Sequence, residues 1–166
     1  IHDDPAGAGE ACRLASTLEP GGELSREVSL LASTALSHFP GRGGVLESEL
    51  AGNRAFLDTV AGWIEEAGIP FGVAAGCALD AGCGPGALLH AVAPLFPRGA
   101  VGLDLRVGSL RLARRVADRG RSWIARPVEG LRFEPLLVER PTLADQGPAT
   151  IHLVQGDLLD PPFEAE

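Results

Sequence analysis

Apolar and polar positions along this chain follow two different periods, and each change of period marks a new element. Val28, Leu31, Ala32, Ala35 and Leu36 fall on one helical face with Leu30 beside it. This spacing predicts a helix capped by Ser25 and ending near His38, before Pro40-Gly41. A broader stripe of Phe56, Leu57, Val60, Ala61, Trp63 and Ile64 predicts a second helix, capped by Asn53 and stopped by Gly68 and Pro70. After that the runs shorten. Strand-length apolar segments appear at Cys77 to Asp80, Ala100 to Asp104 and from Ile151 onward. Helical periodicity occupies Ala87 to about Ala93, where Pro94 intervenes, and Val107 to Arg119, where Leu110, Leu112, Ala113, Val116 and Ala117 point inward. Strands joined by helices of this length imply parallel pairing with right-handed crossovers, which is a doubly wound α/β arrangement.

Three stretches read differently. Residues 1–23 are rich in Gly, Pro, Ala and acids and predict a poorly ordered lead, closed by a turn at Glu19-Pro20-Gly21-Gly22. Val45 to Leu50 carries no assignable pattern. Residues 121–149 hold four prolines and two β-like pieces, Gly130 to Phe133 and Leu136 to Glu139, which predict a hairpin packed at the sheet edge.

The stretch that organises the chain is Ala78-Leu79-Asp80-Ala81-Gly82-Cys83-Gly84-Pro85-Gly86: an apolar strand ending in an acid, then a glycine turn that opens a helix. Glycines let the backbone bend sharply and approach a ligand closely. Asp80 would repel a pyrophosphate and suit a cationic ligand.

This Asp-x-Gly-x-Gly-x-Gly pattern resembles the first motif of the class I S-adenosylmethionine-dependent methyltransferases. Two further matches follow in the family's order: Asp104, ending a strand 18 positions after Gly86, and Gly156-Asp157, ending the strand from Ile151. Pro161-Pro162-Phe163 resembles the turn that leads to the family's fourth strand. The resemblance implies a Rossmann-like doubly wound parallel sheet, incomplete at its first three strands and preceded by N-terminal helices. Residues 1–72 would form a helical cap or lead, and 73–166 part of the cofactor-binding domain with 121–149 as an insertion.

The resemblance also implies the roles of the site residues. Asp80 would face the methionine ammonium, and the backbone of Gly82, Cys83, Gly84 and Gly86 would pass beside the methionine and ribose. Asp104 would accept from the ribose hydroxyls and Asp157 from the adenine amino group, with Leu105 and Leu158 as walls for the adenine. Each acid also has a plain structural reading, Asp104 as a helix-start acid and Asp157 as a turn residue. Family acceptor-side residues lie at and beyond the fourth strand, so no catalytic base is assigned. The methyl acceptor is open, with a small molecule favoured. In the family's sheet order the first strand would be left as an apolar edge through which the piece could self-associate.

Composition narrows the alternatives. Apolar residues make up 45% of the 166 positions, which argues for a folded core. No run is long enough to span a bilayer and the first residues lack a basic leader, so the expected setting is cytoplasmic, without membrane contact. Position 1 is not Met and the chain ends after the third strand, which predicts a fragment of a longer enzyme. Cys12, Cys77 and Cys83 form no CxxC pair and no metal-ligand spacing, so neither a disulfide framework nor a metal site is expected. Cys83 reads as a small filler of a crowded turn, with a reactive thiol as the alternative. Residues 98–132 carry nine Arg against three acids, but no aromatic ladder accompanies them and the net charge is −8, which disfavours a nucleic-acid role.

Two competing functions stay open at this stage. Gly82-x-Gly84-x-x-Ala87 with Asp104 also fits the dinucleotide fingerprint of an NAD(P)-dependent oxidoreductase. A non-catalytic fragment that binds S-adenosylmethionine or a partner is the other.

Overall fold

The computed structural model describes residues 5–39, 45–67, 76–129, 132–141 and 149–163. It is a mixed α/β chain. Three helices come first, α1 (Pro5–Ser16), α2 (Glu23–His38) and α3 (Val45–Glu66). They are followed by β1 (Ala78–Ala81), α4 (Ala87–Val92) with a single 3₁₀ turn at Ala93–Leu95, β2 (Ala100–Asp104) and α5 (Val107–Arg119). An antiparallel pair, β3 (Arg121–Glu129) and β4 (Arg132–Glu139), precedes the last strand, β5 (Ile151–Gln155).

β1, β2 and β5 form one parallel sheet in the order β1-β2-β5. The register pairs Ala78 with Ala100, and Ala100 in turn with Ile151, so the three carboxyl ends finish side by side. β2 is central, and β1 is an edge of the three-stranded sheet with Leu79 exposed. The turn into β2 is tight. Gly99 adopts a φ of 73°, and a side chain there would run into the Thr150 carbonyl. β2 itself also contains a glycine. A Cβ on Gly102 would lie 2.6 Å from a Leu89 methyl and 2.8 Å from the Cys83 sulfur, so the absent side chain is what seats α4 and the glycine turn on the sheet.

The bounds of β2 and α5 agree with the periodicity, whereas the first 23 residues do not behave as expected. They contain α1, whose buried Ala8 and Ala15 are seven residues apart on one face and whose outer face carries an Arg13–Glu10 pair at 2.7 Å. A stripe of alanines offers little hydrophobic contrast, yet lets the helix approach its neighbours closely. The turn at Glu19–Gly22 forms as expected, with the Gly22 amide donating to the Glu19 carbonyl at 3.0 Å.

Ser25 is not the cap of α2. Gly22 is, and the Arg26 amide donates to its carbonyl at 3.0 Å, while the Ser29 hydroxyl donates to the Ser25 carbonyl. Asn53 does not cap α3 either, because that helix begins eight residues earlier at Val45. Its side-chain amide instead donates to the carbonyls of Leu36 at 2.7 Å and Phe39 at 2.9 Å, closing the end of α2. Of the stripe on α3, Leu57 and Ala61 are buried and Phe56 and Trp63 are exposed.

A hairpin forms, but neither between the two expected pieces nor at the edge of the parallel sheet. β3 and β4 make a separate two-stranded sheet that packs against α1, α2 and α5. The described residues of both expected pieces, Arg132, Phe133 and Leu136 to Glu139, belong to the single strand β4, while β3 (Arg121–Glu129) lies where no β-like piece was expected; Gly130 and Leu131 lie outside the described residues. A two-stranded ribbon leaves each strand an open side, which accommodates Pro127 and Pro135. One buried cluster unites Ala32, Ala35 and Phe39 with Ala87, Leu112, Val116, Ile124, Leu136 and Val138. α2 and the hairpin therefore share a core with α4 and α5.

Candidate functional site

The last two residues of β2 tie together the turns at the carboxyl ends of the parallel strands. The Leu103 carbonyl accepts from the amides of Gly82 at 2.7 Å and Cys83 at 3.0 Å, which folds the turn after β1 back onto β2. Asp104 Oδ2 accepts from the Gly84 amide at 2.9 Å, and Oδ1 accepts from the Arg106 amide at 2.7 Å. The Asp104 carbonyl accepts from the Gly156 amide at 3.2 Å, bringing in the turn after β5. Each carboxylate oxygen retains a second acceptor site, so this fixed Asp104 can still receive a diol.

The glycine turn needs its glycines for backbone reasons. Gly82, Gly84 and Gly86 all have positive φ, at 79°, 53° and 85°, and a Cβ on Gly86 would sit 3.0 Å from the Cβ of Ala113. α2 lies against this turn. Where Gly84 would carry a Cβ, the His38 ring is 3.5 Å away and a Thr34 methyl 3.8 Å. Arg106 Nη1 reaches the Thr34 hydroxyl at 3.5 Å.

Asp80 is less fully satisfied than Asp104. Its Oδ2 is buried and has no hydrogen-bond partner. Burial raises its pKa above the ordinary carboxylate range, the nearby negative charge of Asp104 adds to this, and a Leu89 backbone amide partly opposes it. A buried acceptor of this kind is stabilised by a cation or a strong donor.

Burial, together with the charges of Asp80 and Asp104, pushes the Cys83 thiol up to about 12. The sulfur stays protonated at neutral pH and packs over Gly102, which argues for the filler reading over a reactive thiol. His90 is also structural. It is 2% exposed, and since the Ala113 carbonyl 3.2 Å from Nε2 can only accept, that nitrogen carries the proton. Burial lowers its pKa to about 4, keeping the ring neutral.

The end of β5 is open by comparison. Asp157 is exposed, and its Oδ1 accepts from the Leu159 amide at 2.9 Å, making a turn of its own. Gly156 before it is required by packing: a Cβ there would meet Pro162 at 2.7 Å and Leu103 at 3.0 Å. Leu105 is 63% exposed and Leu158 52%, so both offer free apolar surface at the strand ends. A Leu158 methyl comes to 3.7 Å of the Cβ position of Gly82, which brings the β5 turn to the edge of the glycine turn.

Asp80, Gly82, Cys83, Gly84, Gly86 and Asp104 thus converge, with Leu158 at their margin and Asp157 and Leu105 on the exposed side. His38 and Thr34 were not foreseen. Their approach depends on how α2 crosses the sheet, which local periodicity does not encode. Gly102 did carry a signal, as a glycine inside an apolar strand marks a close approach. Among the described residues no group of three or more His, Cys, Asp or Glu could hold a metal ion, and no helix is long and apolar enough to cross a membrane. In comparisons with known proteins, no family model matches the chain and no curated protein sequence matches it.

Proposed function

We propose that this chain binds S-adenosylmethionine at the carboxyl ends of β1, β2 and β5, as the cofactor-binding part of a methyltransferase with a Rossmann-like sheet. The observation that carries the reading is Asp80, whose buried, unpartnered oxygen lies beside a glycine turn. A methionine ammonium supplies the positive donor that this oxygen lacks, whereas a pyrophosphate would add a second negative charge.

The other residues fit the same ligand. Asp104, held by two backbone amides, accepts the ribose diol. The exposed Leu105 and Leu158 flank the adenine, and Asp157 receives its amino group. When bound, the cofactor supplies an activated methyl group, and the residues described here hold and orient it and keep the Asp80 side dry. The acceptor we favour is a small molecule, and the setting cytoplasmic.

Calorimetric titration with S-adenosylhomocysteine and, in parallel, NADH tests this. The expected result is binding of the former alone, at least tenfold weaker in Asp104→Ala. Binding of NADH alone would replace the reading with an oxidoreductase, and silence from both would end it.

A further inference from the structure

His38 stands beside the glycine turn, and the cofactor reading leaves it without a role. It is the last residue of α2 and is half-buried, with its ring Cε1 3.5 Å and Nε2 3.7 Å from the Cβ position of Gly84. The amide of the same Gly84 donates to Asp104 Oδ2 at 2.9 Å, so one residue of the turn separates the imidazole from the carboxylate. Burial lowers the His38 pKa and the Asp104 charge partly opposes this, so the two groups lie within electrostatic range. Yet no hydrogen bond joins them. Asp104 accepts from backbone amides, and neither His38 ring nitrogen has a hydrogen-bond partner among the described residues. Unlike His90 Nδ1, the His38 nitrogens are not sealed from solvent, so the ring can still serve a ligand.

The end of α2 that carries this ring is held from both sides. One turn earlier, the Thr34 hydroxyl donates to the Leu30 carbonyl and accepts from Arg106 Nη1 at 3.5 Å, which ties α2 to the loop that follows Asp104. One residue later, Phe39 is buried and its carbonyl accepts from the Asn53 side chain at 2.9 Å. A ring positioned this way pays little ordering cost when it meets a ligand.

A carboxylate only accepts, whereas a neutral imidazole offers one N–H donor. A hydroxyl does both, and is the group suited to bridge such a pair. Building on the cofactor reading, we propose that His38 completes the ribose site, donating its ring N–H to one ribose hydroxyl of S-adenosylmethionine that in turn donates to Asp104. The cofactor is then held by α2 as well as by the parallel sheet.

Calorimetric titration with S-adenosylhomocysteine and with its 2′-deoxy and 3′-deoxy forms tests this on the parent chain, on His38→Ala and on His38→Leu. Both variants lack the donor, and the leucine keeps most of the ring's volume, so that one variant shown folded by circular dichroism suffices. Each should bind S-adenosylhomocysteine about fivefold more weakly, the size of one lost neutral hydrogen bond. Each should bind one of the two deoxy forms as the parent does, because the hydroxyl that His38 serves is then gone from the ligand. Unchanged affinity for S-adenosylhomocysteine in a folded variant, or an equal loss for all three ligands, would overturn the role of His38 and leave the cofactor site standing. No binding of S-adenosylhomocysteine by the parent would end the cofactor reading itself, and the His38 contact with it.

Discussion

The turns after β1 and β5 follow the two strands that flank β2, and they are built in opposite ways. The first is buried, threads three positive-φ glycines beneath α2, and is fastened to Leu103 and Asp104 by three amides. The second is exposed beyond Gly156, and its acid closes a local turn. A ligand reaching both would meet a preorganised half that fixes its position and an open half that adds contact area. Preorganised groups contribute binding without an ordering cost, so affinity should concentrate on the β1 side.

Breaking the buried half should produce the largest effect. Gly102→Val places side-chain atoms where Leu89 and Cys83 already pack, and neither can move aside, since both are buried. Chemical denaturation should show a loss of about 3 kcal/mol, the upper range for overpacking a core. A loss below about 1 kcal/mol would mean that the turn is not seated as described.

His90 gives a comparable effect that depends on pH. Its folded pKa of about 4 lies below the ordinary 6.5, so between these values the unfolded chain takes up a proton that the folded one refuses. Stability is intact above pH 6.5 and falls as the pH drops toward 4, by roughly 3 kcal/mol in total. His38, lowered by burial, contributes in the same direction, while Asp80, whose pKa is raised, opposes both. Denaturation of His90→Gln across this range should show a clearly shallower loss, and a profile identical to the parent would remove His90 as its source.

The open half should be tolerant. Asp157→Ala removes an exposed turn contact and should change stability by no more than about 0.5 kcal/mol. It should weaken S-adenosylhomocysteine binding less than Asp104→Ala does. If calorimetry placed the larger loss at Asp157, the contrast between the two turns would be reversed.

The same contrast accounts for what could be read in the sequence. β2, α5 and the glycine turn were legible because strong local signals agreed: an unbroken apolar run, a sharp 3.6-residue period and glycines at positions of positive φ. α1 was not, since alanines pack closely without a hydrophobic stripe. Asn53 looked like the start of its own helix because capping residues are read locally, whereas its amide serves the end of α2, more than a dozen residues earlier. Of the hairpin only β4 was visible as β-like pieces; β3, whose run is broken by Arg126 and Pro127, was not, and the position of the pair against α1 and α2 depended on a helix that the pattern did not reveal. Among the site residues the three acids at the strand ends were legible. The difference between them was not, because whether a carboxylate oxygen is satisfied or orphaned depends on tertiary approach.

That difference supplies the most direct test. Asp80→Asn removes a charge whose Oδ2 is buried and unpartnered, so the free protein should become more stable by roughly 1 kcal/mol, raising Tm by about 2–4 °C. If that oxygen awaits a ligand cation, the same variant should bind S-adenosylhomocysteine at least tenfold more weakly, giving a more stable protein with a poorer site. Melting and calorimetric titration of the same two samples would decide. Higher Tm with lost affinity is the predicted result, and undiminished affinity in Asp80→Asn would contradict the account.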